Sequence, residues 1–119
     1  MLYNKATGIP PAILAQASVG VRPIEYGSHA LAQAFVKYHL TNKDLPDKIV
    51  VCPDTIVEVE VLAGGIHKVV VRAPLTKTHD ICIPCLFKPG RLFAKTLWLN
   101  RVDDNHSTLR KSNYVCASR

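Results

Sequence analysis

The 119-residue chain has no run that approaches the ~18 consecutive apolar residues of a membrane span, so no spanning helix is expected. The opening MLYNKATGIPPAILAQASVG holds one lysine and an apolar patch. Pro10 and Pro11 interrupt that patch, and its polar lead is too weak for an export signal, so a cytosolic protein is expected. Repeats and low-complexity tracts are also missing, and nothing asks for a second core. A single domain over residues 1–119 is the simplest organisation, burying roughly two-thirds of its unfolded surface. At 48% hydrophobic and 20% charged residues, the composition is globular. Acidic residues are scarce in one half only. Residues 1–63 carry a net charge of −1, whereas residues 64–119, with ten Lys/Arg against three Asp/Glu, carry +7. A basic half attracts polyanions and supplies the salt-dependent part of nucleic-acid affinity, although on charge alone a solvated basic surface that binds no nucleic acid is the simpler reading.

Cys52, Cys82, Cys85 and Cys116 could pair, but without an export signal free thiols are expected. HDICIPCLF contains C-x-x-C, whose redox use needs the first cysteine at a helix N-terminus. Here the flanks have strand character, and in an extended strand Cys82 and Cys85 point to opposite faces. Such a placement defeats both a shared disulfide and shared metal coordination. A zinc site would need a second ligand pair, and only scattered candidates exist, His79, His106, Cys116 and Cys52. No metal or other cofactor is expected.

Residues 1–27, with Pro10-Pro11, Gly20, Pro23 and Gly27, read as a loop-rich arm holding one short helix near Ala12–Ala17. SHALAQAFVKYHL then places Leu31, Ala34, Phe35 and Tyr38 on one stripe, predicting an amphipathic helix over residues 29–40 with Ser28 as its N-cap. PDKIVVCPD leads into a sheet. Period-two alternation predicts strands over 55–62, 67–73, 80–87 and 91–99, with turns at Ala63-Gly64-Gly65 and Lys88-Pro89-Gly90. Pro84 favours an edge or a bulge for the third of these. The expected fold is α+β, one or more N-terminal helices packed on a four-stranded antiparallel sheet.

Alternation sorts Val57, Val59, Val61, Val69 and Val71 onto a core face, joined by Phe93, Leu97 and Leu99. The opposite face then displays Lys68, Arg72, Thr96, Trp98 and Asn100, with Arg101 just beyond. Those residues could bind nucleic acid, Trp98 by stacking on an unpaired base. The same face could instead be solvated and laced by Glu–Lys and Glu–Arg pairs.

The helix opening SHALAQAF, the following CPDTIVEVEV and a meander ending in AKTLWLN resemble the RelE/ParE-type toxin fold. The similarity is greatest to phage-associated members of the wider barnase–EndoU–colicin–RelE nuclease group, over roughly residues 26–115. The resemblance implies a small ribonuclease that uses 2′-OH attack on the adjacent phosphodiester without a metal, with RNA as partner and an antitoxin or immunity protein as its neutraliser. That reaction needs a base, groups that stabilise the phosphorane oxygens, and an acid. Histidine suits the proton transfers because it titrates near neutrality. His29 lies at the helix start, where the positive end of the helix dipole favours a neutral ring able to act as base. His106 lies in the hydroxyl-rich NRVDDNHSTLRKSNY that follows the last strand and could act as acid. Tyr114 corresponds in position to a C-terminal tyrosine used by some RelE-like enzymes. Lys95 falls where the resemblance favours a catalytic residue, yet strand alternation puts it on the core side unless a bulge intervenes. The alternative is a non-catalytic phage or accessory protein that binds a host protein or nucleic acid through the basic sheet face.

Overall fold

Alternating apolar residues between Ile56 and Pro74 build the centre of the sheet as an antiparallel hairpin, β4 (Ile56–Leu62) and β5 (Gly65–Pro74). The turn between them uses Gly64 at φ 99° and Gly65 at φ 136°, backbone that side-chain-bearing residues rarely adopt. The computed structural model describes residues 1–103. Before the hairpin come β1 (Leu2–Asn4), α1 (Pro11–Ala17), β2 (Gly20–Tyr26), α2 (Ser28–Tyr38) and β3 (Lys48–Val51). After it come β6 (His79–Lys88), β7 (Arg91–Ala94) and β8 (Trp98–Arg101). The strands form one mixed sheet in the order β1-β4-β5-β6-β7-β2-β3, with β8 also paired to β6.

The result is α+β, two helices with a curled eight-stranded half-barrel, and not the expected four-stranded antiparallel sheet. The expected strands are present, the fourth in two pieces (β7 and β8), but the presumed arm contributes two more, β1 and β2, and β3 is added from the segment that follows α2. β1 extends the sheet beyond β4. β2 pairs antiparallel with β3 through Gly20–Pro23 and then parallel with β7 through Ile24–Tyr26, so it changes partner at Pro23. β1 and β3 are short and β2 is punctuated by Gly20 and Pro23, so each is held extended by partners distant in the chain.

The core lies between the sheet and the helices. Val59, Val69, Val71, Ile81, Ile83, Leu92 and Leu97 are fully buried there, each burial stabilising by roughly 1.5–3 kcal/mol. From α1, Ile13, Leu14 and Ala17 join them. A register shift between Ile56 and Glu58 moves Val57 off the expected core face. It packs on the other side of the sheet with Val70, Cys82 and Trp98.

α2 starts one residue earlier than expected, with Gly27 as its N-cap and Ser28 inside the helix making no side-chain cap bond. It ends at His39 in the left-handed region (φ 58°), where the Leu40 N–H returns to the Ala34 carbonyl at 2.9 Å. Its buried side is Ala30, Ala34, Leu31 and Tyr38, whereas Phe35, expected on that stripe, is 63% exposed. The helix turns Leu31, Ala34 and Tyr38, and not Phe35, toward the core. No helix among the described residues is long and apolar enough to cross a membrane.

Candidate functional site

The expected fourth strand is broken in the middle, and the break decides where Lys95 goes. Cys85 pairs with Ala94 and Cys82 with Trp98, so Lys95, Thr96 and Leu97 stand opposite only Ile83 and Pro84. That extra residue is a bulge. The Lys95 N–H donates to the Pro84 carbonyl at 3.1 Å, on the side of β6 where Pro84 has no N–H to give in return. Alternation therefore changes phase within the strand. Leu92 and Ala94 face the core before the bulge, and Leu97 and Leu99 face it afterwards. Phe93, expected in the core, lies outside the core cluster and against Gly27. Lys95 is exposed, between fully buried Ala94 and half-buried Thr96, with fully buried Leu97 two residues on.

α2 meets the sheet at the same place. The Gly27 N–H donates to the Ala94 carbonyl at 3.0 Å, and a Cβ on Gly27 would stand 3.0 Å from the Phe93 ring, so only glycine fits without displacing that ring. Thr96 Oγ1 donates to Gln33 Oε1 from the next turn of the helix. His29 and Gln33, four residues apart, share one helix face. The junction thus gathers exposed His29, exposed Lys95, Thr96 and Gln33. Sequence reasoning passed over Gln33, although its i+4 relation to His29 was there to be read.

The other basic candidates are held differently. Arg72 donates from Nε to Asp80 at 2.8 Å and from its terminal nitrogen to the Arg101 carbonyl at 2.8 Å. Its guanidinium ties β5, β6 and β8 together, with only 15% of the side chain exposed. Asn100 pairs in register with Asp80 and is buried. Trp98 is half-buried over Val57, Val70 and Cys82, and Lys68 stands opposite Glu60 on β4. Arg101 is exposed and bonds Asp103 at 3.2 Å. Beside the Arg72–Asp80 pair opens a groove of about 650 Å³, lined among others by Lys5, Asp54, Thr55 and Val102. His106 and Tyr114 lie outside the described residues.

Cys82 and Cys85 are buried on opposite faces of β6, as strand geometry predicts. Burial pushes the Cys85 thiol up to about 12. Cys52 is partly exposed in the turn after β3, and hydrogen bonding, foremost from the Thr55 side chain, lowers its thiol pKa. Among the described residues no group of three or more His, Cys, Asp or Glu side chains could hold a metal ion. Comparison with protein families, with curated proteins and with solved structures finds no match to this chain.

Proposed function

We propose that this protein is a metal-independent endoribonuclease that cleaves RNA by attack of a 2′-OH on the adjacent phosphodiester. The observation that carries this reading is the bulge opposite Pro84, which leaves Lys95 exposed next to Thr96, the residue bonded to Gln33 one turn beyond His29 on α2. In the proposed step the 2′-oxygen forms a bond to phosphorus as its proton passes to His29. The bond to the 5′-oxygen then breaks, and that oxygen takes a proton from His106, with Tyr114 the second candidate. Lys95 offsets the charge that builds on the non-bridging oxygens. None of the ion pairs among the described residues uses the Lys95 ammonium. Trp98 supports the neighbouring base, and the basic second half of the chain attracts the polyanion. The enzyme is cytosolic in this reading, and its protein partner would be a neutralising antitoxin or immunity protein.

Incubation with total RNA in EDTA tests this. Cleavage by the unaltered protein, lost in a Lys95→Ala variant that melts normally, is the expected result. If neither protein cuts, the second reading takes over, an interaction protein without catalysis. That reading is favoured by Phe35 and Val36, 63% and 75% exposed on α2.

A further inference from the structure

We propose that Gln33 contacts the scissile RNA phosphate beside Lys95, donating from its amide nitrogen to a non-bridging oxygen; this rests on the endoribonuclease reading above. The Thr96 hydroxyl occupies Gln33 Oε1. With its oxygen held there, the amide must present its nitrogen elsewhere, as a donor of two N–H bonds. No hydrogen bond among the described residues uses that nitrogen, and the one buried side-chain polar atom among them that lacks a partner is Asn4 Nδ2. The Gln33 N–H groups are therefore open to solvent. The Thr96 bond orients the amide, and the Gly27 N–H on the Ala94 carbonyl ties the start of α2 to the same stretch of strand. The strand between those two anchors is Lys95. A cation and a pre-oriented neutral donor at one junction suit a phosphodiester oxygen, where charge rises as the phosphorane forms. Gln33 is half-buried and stands one turn beyond His29 on the same face of the helix, which places donor and base on a common side of the phosphate.

The test uses the full chain and an oligoribonucleotide that carries one cleavage site mapped on total RNA. Gln33→Ala removes the donor, and Gln33→Glu keeps an acceptor for Thr96 while replacing the donor with a negative oxygen. Both should melt within a few degrees of the unaltered protein and lower kcat by ~10²-fold or more, with a smaller change in KM. Sulfur in place of each non-bridging oxygen in turn supplies a readout that a packing role would not move. The unaltered protein should be slowed by one diastereomer, and Gln33→Ala should no longer distinguish the two. Unchanged cleavage in both variants overturns the proposal, and so does a slower Gln33→Ala that keeps the full diastereomer difference. Absence of RNA cleavage by the unaltered protein would instead overturn the endoribonuclease reading itself, and the Gln33 role with it.

Discussion

Lys95 and Pro84 face each other across the sheet through a single hydrogen bond, the lysine N–H on the proline carbonyl at 3.1 Å. Proline returns no N–H, so the ladder opens there and an extra residue is accommodated. Lys95 is exposed as a result, and its side chain supports little of the fold. Lys95→Ala should change stability by no more than about 0.5 kcal/mol, read from urea unfolding. Leu97→Ala, two residues on and fully buried, should cost about 2–5 kcal/mol in the same measurement.

Arg72 should behave as a structural residue first. Its guanidinium bonds Asp80 and the Arg101 carbonyl, so Arg72→Ala leaves both acceptors without it and should cost about 1.5–3 kcal/mol. If RNA binds this side of the sheet, Arg101→Ala should flatten the salt dependence of binding by about one unit of slope at little cost in stability. Equal and small stability losses in the two variants would separate Arg72 from the fold.

How far these roles were legible in the sequence depends on where alternation holds. Val69 and Val71 point inward and Cys82 and Cys85 to opposite faces, as period two demands. Val57 and Phe93 do not follow it, because each neighbours an irregularity that shifts the phase by one residue. Pro84 signalled the second of these, and the sequence carries no comparable sign for the first. β2 was unreadable as a strand since Gly20 and Pro23 punctuate it and its parallel partner, β7, lies far along the chain. The residues of the candidate site, Gln33 apart, could be named from the sequence one by one, and their assembly could not. His29 and Lys95 could be named singly, whereas the bonds from Gly27 to Ala94 and from Thr96 to Gln33 that bring them to one junction are tertiary contacts.

His39 holds a left-handed conformation that glycine adopts without penalty. His39→Gly should raise stability by roughly 1 kcal/mol, visible as a higher urea midpoint at unchanged slope. A lower midpoint would mean that the imidazole makes a contribution larger than the relief of backbone strain.

Alkaline pH should weaken the fold. Burial raises the Cys85 thiol from 9.0 to about 12, so the folded chain holds its proton where the unfolded chain has lost it. The stability this provides is complete below pH 9 and is lost as pH rises toward 12. Tyr26, whose hydroxyl donates to the Pro46 carbonyl at 2.6 Å, is also raised, by burial first, and adds to the loss at higher pH. Melting temperature against pH should fall above pH 9, less steeply in Cys85→Ala once its lower starting stability is subtracted.

The chemistry of the cut ends tests the central claim most directly. Attack by a 2′-OH must leave a 2′,3′-cyclic phosphate on one fragment and a 5′-hydroxyl on the other, and it cannot proceed where a 2′-deoxynucleotide replaces the attacking ribose. Mass spectrometry of RNA fragments produced in EDTA should show those two termini, with no cut at the deoxy-substituted position. Fragments ending in 5′-phosphate, or equal cleavage of the deoxy-substituted strand, would contradict the proposed reaction.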